Sequence, residues 1–215
     1  MTPKPVPGPI LVLDTTARWC AAAIRMDGGE VVEIREDMAR GHAERLAPMT
    51  AELLKRAGLA PAALSRIAAA TGPGSFAGTR VGTAFARGLA LATGGRAVGV
   101  SNLSAWARTA DPAGSRDVAA IHDARRGEVV IQIFRHGAAL GEPERMGIEQ
   151  ARERLSPDWL LAGSGVPLLG GTAPDGSPLA ALIALACELP DDAPPPSPLY
   201  ARPPDAKLPG GLEPA

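Results

Sequence analysis

Aromatic residues are scarce in this chain. Phe, Trp and Tyr together make up 3% of 215 residues, so the core must be built from Ala, Leu, Val and Ile. Cysteine is nearly absent as well. Cys20 and Cys187 are the only two, too few for a disulfide framework. Both sit in apolar-periodic segments, which reads as buried free thiols in a reducing compartment. No apolar run reaches the roughly 18 residues of a membrane span, and the opening MTPKPVPGP has no apolar h-region. A soluble, cytoplasmic protein without membrane contact is expected. Neither sign of charge dominates: 22 Lys and Arg balance 23 Asp and Glu, for a net charge of −1. No basic stripe stands out, which makes the chain alone a poor nucleic-acid platform. The length suits one large domain or two small ones and buries roughly 70% of the surface of the unfolded chain.

What is present is organised around positions 67–92, IAAATGPGSFAGTRVGTAFARGLALA. Ile67–Ala70 is an apolar run suited to a buried parallel strand. Gly72, Pro73, Gly74 and Gly78 punctuate a turn, and Ser75 and Thr79 are N-cap candidates for the helix beyond it. In that helix Val81, Ala84, Phe85, Leu89 and Ala92 share a face, while Gly82, Ala86 and Gly88 keep its surface thin. A glycine turn at a helix N-terminus can hold an anion, yet familiar phosphate signatures fail. The loop has no lysine, so it is not a P-loop. The looser G-x-G-x-x-G/A pattern lacks its acid about 20 residues on. Ser75 is not in G-x-S-x-G, which argues against a nucleophile elbow. A corner that needs small residues for packing is an equally good reading.

Taken in order, Ile10–Leu13 is a strand ending in Asp14-Thr15-Thr16. Cys20–Met26 and Glu30–Arg35 form a hairpin about Asp27-Gly28-Gly29. Asp14 at a strand end suits a carboxylate facing a metal or phosphate, or an Asx turn. A helix over Ala43–Ala57 carries the apolar stripe Leu46, Met49, Leu53, Leu54 and Ala57 and stops at Gly58. His42 just before it fits a capping or interface residue better than a ligand. Further on come strand Ala97–Val100, a helix from Ser101 through Trp106, strand Val118–His122 ending in Asp123, and strand Glu128–Phe134. A helix over Ile148–Leu155, strand Trp159–Ala162 and an Ala/Leu helix over Pro178–Leu189 follow. The segment from Pro190 holds nine prolines and reads as mostly extended and partly disordered. This order predicts mixed sheets flanked by helices in two α/β lobes.

The blocks GHAERLAPM, TGPGSFAGTRVGTAFARGLA and DARRGEVV, in this order and spacing, resemble the TsaB (YeaZ-type) family of tRNA threonylcarbamoyladenosine biosynthesis. The resemblance runs from about Ile10 to Tyr200. Pro198-Leu199-Tyr200-Ala201-Arg202 is similar to the family's closing P-x-Y-x-R, with Ala201 where leucine is usual. The resemblance implies an α/β fold of two ribonuclease H-like lobes from the actin/Hsp70-like ATPase superfamily. The expected division is a flexible segment 1–9, an N-terminal lobe 10–104, a C-terminal lobe 105–202 and a Pro/Gly-rich tail 203–215.

It also implies a partner and not a catalyst. The related catalytic family, TsaD, places two metal-binding histidines four apart after the strand matching Ala97–Val100. Here those positions are Asn102 and Trp106, and an amide and an indole do not replace two imidazoles. No metal and no catalytic residue are therefore expected on this chain. Asp14, Thr15, Gly72 and Gly74 are what could remain of a nucleotide cleft. ATP and metal are expected on the partner subunits, TsaD and the ATPase TsaE, with tRNA met only through the complex. In the family the two helices of the first lobe pack on the same pair in TsaD, or on a second copy. His42, Leu46, Met49, Leu53, Val81, Gly82, Phe85 and Ala86 are the interface residues this implies. An independent ATPase or sugar kinase of the same superfamily is the alternative, and a metallopeptidase a third reading that lacks its ligand pair.

Overall fold

The computed structural model describes residues 8–172 and 176–202. The tail 203–215 and most of the segment 1–9 lie outside the described residues. The chain opens with an antiparallel meander: β1 (Ile10–Asp14), β2 (Trp19–Arg25) and β3 (Val31–Asp37). The hairpin at Asp27–Gly29 forms as expected, with Gly29 at φ +89°. Helix α1 (His42–Ala57) ends at Gly58 in the left-handed conformation that a residue without Cβ adopts without strain. Then β4 (Arg66–Ala70) pairs in parallel with β1, α2 (Phe76–Thr93) crosses over, and β5 (Arg96–Val100) pairs in parallel with β4. The sheet order is β3-β2-β1-β4-β5.

The second lobe repeats the idea with less material. Helix α3 (Asn102–Ala110) leads to β6 (Val118–Arg125) and β7 (Glu128–Arg135), an antiparallel pair. Two short strands, β8 (Ala138–Ala139) and β9 (Glu144–Gly147), share the outer edge of β7. After α4 (Ile148–Arg154), β10 (Leu160–Ala162) pairs in parallel with β6, and α5 (Leu179–Glu188) ends the regular structure.

Strand alternation divides the first sheet between two cores. Leu11, Leu13, Cys20, Ala22, Ile24 and Ile67 face α1 and α2, together with Leu46, Met49 and Leu53. Ile10, Val12, Ala21, Ala23 and Val98 face the middle of the molecule, against Leu103, Trp106, Leu182 and Ile183. The second sheet reaches the same central core through Val118, Ala120, Val130 and Phe134. Its other face, with Ile121, Val129 and Ile131, is covered by the α4 layer. So α3 and α5 lie between the two sheets. Helix α3 leaves the first lobe yet packs on β6, β7 and β10, while α5 returns from the second lobe to pack on β1, β2 and β5. The boundary expected at 104/105 falls inside α3. Each lobe is a mixed sheet flanked by helices, as the order of elements in the sequence predicts.

Buried Arg66 ties this exchange together. Its Nη1 donates to the carbonyls of Ala186 (2.6 Å) and Leu189 (2.9 Å), and Nη2 pairs with Asp191 at 3.1 Å. A guanidinium from the first sheet thus caps the C-terminus of α5, where unpaired carbonyls and the helix dipole favour a cation.

Three sequence expectations change. Helix α2 begins at Phe76, with Ser75 as its cap and Thr79 one turn inside. Its buried stripe is Gly78, Thr79, Gly82, Thr83, Ala86 and Ala90, while Ala84 and Ala92 are exposed. Small residues win the sheet-facing side because the helix backbone lies too close to β1 for large ones. Cys20 is buried but Cys187 only partly so. Burial pushes the Cys20 thiol up to about 11 and Cys187 up as well, so neither is poised as a nucleophile.

Candidate functional site

Strand β1 delivers Asp14, Thr15 and Thr16 to the N-terminus of α2. The buried Asp14 carboxylate accepts four hydrogen bonds. Oδ1 takes the Thr16 amide (3.0 Å) and hydroxyl (2.7 Å), and Oδ2 takes the Trp19 indole (2.8 Å) and the Ser177 hydroxyl. The Thr15 hydroxyl donates to the Gly78 carbonyl at 2.7 Å. A Cβ on Gly78 would fall 1.9 Å from the Thr15 carbonyl oxygen, and one on Gly74 would fall 2.4 Å from that of Thr16. The glycines therefore serve a close approach of two backbones. Among them Gly72 has a positive φ, +94°, and precedes a cis proline.

The amides of the corner are turned inward. Gly72 N–H donates to Asn102 Oδ1 (2.8 Å), Ser75 N–H to the Thr16 carbonyl (2.6 Å), Gly78 N–H to Ser75 Oγ (3.0 Å) and Thr79 N–H to the Ser75 carbonyl (2.9 Å). Asn102 completes the latch by donating from Nδ2 to Thr16 Oγ1 at 2.9 Å. Trp106, four residues on, is buried in the central core. The four residues Asp14, Thr15, Gly72 and Gly74 thus come together around one corner. A phosphate would need free donors, and the amides of Gly72, Ser75, Gly78 and Thr79 are already bonded within the corner. Among the described residues no group of three or more His, Cys, Asp or Glu side chains is placed to share a metal ion.

The chain covers this corner with its own end. Leu199 N–H donates to the Thr71 carbonyl (2.7 Å), and the Leu199 carbonyl lies 2.6 Å from where a Gly72 Cβ would be. Tyr200 OH accepts from Arg80 Nε at 2.7 Å. Arg202 crosses to the second lobe, donating to the Ala124 (2.8 Å) and Arg125 (2.9 Å) carbonyls and pairing with Glu128. The P-x-Y-x-R segment is a strap between lobes. Reading its prolines as extended chain anticipates its shape but not these bonds, which join positions more than 70 residues apart.

The expected interface residues divide into two sets. Leu46, Met49, Leu53, Gly82 and Ala86 are buried against their own sheet. Val81 and Phe85 are half-buried along the α1–α2 seam. His42 is half-buried too, its Nε2 3.0 Å from the Ala17 carbonyl, which ties the start of α1 to the β1–β2 turn. What the two helices expose is different: Ala47, Pro48 and Ala51 beside Glu44 and Lys55 on α1, and Ala84, Gly88 and Leu91 beside Arg80 and Arg87 on α2. Leu91 is 89% exposed. Small residues on a helix look like filler in sequence, and only the buried stripe of each helix reveals which of them point out. No helix among the described residues is long and apolar enough to cross a membrane.

Fold and site define a two-lobed α/β protein whose corner between β1 and α2 is closed by its own strap and whose first lobe exposes small residues on two helices, flanked by Glu44, Lys55, Arg80 and Arg87. Residues 33–142 match the family model described as TsaD, tRNA N6-adenosine threonylcarbamoyltransferase. The tRNA threonylcarbamoyladenosine biosynthesis protein TsaB of Escherichia coli (strain K12) is 33% identical over 167 residues, covering 73% of this chain and 71% of that protein. TsaB of Haemophilus influenzae is 38% identical over 121 residues, 56% of this chain and 51% of that one. Among solved structures, YeaZ from Pseudomonas aeruginosa superposes with a TM-score of 0.70 at 31% identity, covering 83% of this chain and 90% of that one. A second structure, described as an uncharacterized protein with similarity to peptidase YEAZ from Pseudomonas aeruginosa, gives 0.74 at 30% identity, covering 91% and 100%. The chain belongs to the TsaB (YeaZ-type) family.

Proposed function

We propose that this protein is a non-catalytic docking subunit of the machinery that makes threonylcarbamoyladenosine on tRNA, and that it binds the transferase TsaD through the exposed face of α1 and α2. The observation that carries the proposal is that face. Ala47, Ala51, Ala84 and Gly88 leave two helix backbones thinly covered, and Leu91 stands almost wholly in solvent beside them. Thin helix surfaces allow close helix-on-helix packing, and Glu44, Lys55, Arg80 and Arg87 around them supply a charged rim. The relatives' role in tRNA modification supplies the partner. The engaged corner at Asp14 and Gly72–Thr79 agrees with a subunit that leaves chemistry to others. ATP and metal then belong to TsaD and TsaE, and a second copy of this chain competes for the same face.

Reconstitution tests the proposal. TsaD from the same organism, mixed with this chain, TsaE, an unmodified tRNA and the small substrates, should form threonylcarbamoyladenosine only when this chain is present. This chain should form none when TsaD is left out. Modification by TsaD and TsaE at full rate without this chain, or by this chain without TsaD, would overturn it.

A further inference from the structure

Arginines distant in sequence are linked through the strap that carries Tyr200 and Arg202. Arg80 and Arg87 stand seven residues apart on α2, about 10 Å along the helix, and both are exposed. They occupy the flank opposite the Val81–Phe85–Leu89 side that packs into the α1 core. Beside its Tyr200 bond, the Arg80 guanidinium lies 3.7 Å from the centre of the Phe76 ring and 5.4 Å from that of Tyr200, and the two rings are 4.9 Å apart. Phe76 is 41% exposed. Among the described residues no carboxylate pairs with Arg80 or Arg87.

The strap carries the cluster across the cleft. From Tyr200 to Arg202 is about 7 Å of extended chain, and Arg202 is bonded to the β6–β7 hairpin. That hairpin presents Arg125 at φ +65° and Arg126 at φ +53°, followed by Gly127 at +77°. Two successive L residues in the left-handed region are strained, and a turn of this type ordinarily takes Asn-Gly. Strain held in place at the surface points to a use for the side chains. Arg125 pairs with Asp123 at 3.0 Å yet keeps 84% of its side chain in solvent, and Arg145 lies 3.9 Å from Glu128. Among the described ion pairs, arginines 125, 145 and 202 thus share the carboxylates of Asp123 and Glu128, and arginines 80 and 87 add to an excess of positive charge in a chain whose net charge is −1.

We propose that this ridge is an RNA-binding surface that takes backbone phosphates on its arginines and stacks an unpaired base on Phe76 and Tyr200. Guanidinium groups beside partly exposed rings suit single-stranded loops, where bases are free to stack and phosphates are close. An acidic protein surface would match the charge but leave the rings unused. The inference rests on the reading of the chain as a subunit of a tRNA-modifying machine and adds a direct contact between this subunit and the RNA.

The test is a fluorescence titration of a tRNA transcript with an unmodified anticodon loop, on the chain and on its complex with TsaD, at about 50 to 200 mM salt. Arg80→Glu and the pair Arg125→Glu with Arg126→Glu should each weaken binding about tenfold or more and flatten the salt slope by about one for each phosphate no longer neutralised. Phe76→Ala should weaken binding with the slope unchanged. Arg152→Glu, on the α4 layer, should alter neither, and melting temperatures should stay together. Wild-type protein that fails to bind the transcript, ridge variants that bind like wild type, or ridge variants that lose TsaD but keep RNA would overturn the proposal. The docking reading fails separately, by absence of TsaD binding in the wild type.

Discussion

At the scale of single residues, the corner between β1 and α2 is governed by missing side chains. Gly78 and Gly88 are both helical glycines on α2, and their surroundings are opposite. A Cβ at Gly78 meets the Thr15 carbonyl at 1.9 Å, whereas one at Gly88 meets nothing within 4 Å. Gly78→Ala must push helix and strand apart and is expected to destabilise by about 2–4 kcal/mol. Gly88→Ala is expected to stabilise by about 0.5–1 kcal/mol through helix propensity. Chemical denaturation of the two variants checks both signs. Gly74 belongs with Gly78: the close approach to Thr16, and not a positive φ, forbids a larger residue there.

His122 makes a second prediction at this scale. Its ring is half-buried beside Ser164, whose hydroxyl lies 3.0 Å from Nδ1. Burial lowers its pKa from 6.5 to about 4. The unfolded chain therefore takes up this proton first as pH falls. The stability held by the neutral ring is complete above about pH 6.5 and is lost on the way down to about pH 4. With the ring partly open to solvent, the loss should be about 1–2 kcal/mol. Thermal melts of His122→Gln should lack this slope between pH 6.5 and 5, where the carboxylates held low by arginine partners, such as Glu36 and Glu144, still keep their charge. A variant with the wild-type slope would contradict the assignment.

Among the elements, α5 depends on a residue of the other lobe. Replacing Arg66 with Ala leaves the Ala186 and Leu189 carbonyls without their donor and opens a void at the base of β4. A loss of about 2–4 kcal/mol is expected, read as an earlier midpoint in urea. Elements with strong local signals were legible in the sequence: the β1–β3 meander with its Asp-Gly-Gly turn, α1 with its large apolar stripe and Gly58, and the strand–glycine–helix corner. Strands β8 and β9 were not, because edge strands this short carry too little alternation to register. The buried face of α2 was misread for a physical reason. Pattern reading weights large apolar residues, and a helix pressed against a strand buries Gly and Thr. The arginine ridge was invisible because it is assembled from separate segments spread over more than 100 residues, and Arg66 because nothing local marks a cap in another lobe.

For the whole molecule, the lobes are locked together from three sides: α3 and α5 between the sheets, Arg66 below, and the strap above. What stays open is the outside of the first lobe. Its α1–α2 face is separable from the core beneath it, since Leu46 and Met49 point inward while Ala84 points out. Leu46→Glu and Met49→Glu should therefore unfold the protein. Ala84→Glu should leave it folded, while its longer side chain blocks close approach of a partner helix and its charge must be desolvated in the contact, at several kcal/mol of binding. The decisive measurement is a calorimetric titration of TsaD with wild-type and Ala84→Glu protein of matched melting temperature. The docking account predicts that Ala84→Glu loses binding by at least about a hundredfold. Wild-type affinity in a folded Ala84→Glu variant would contradict it.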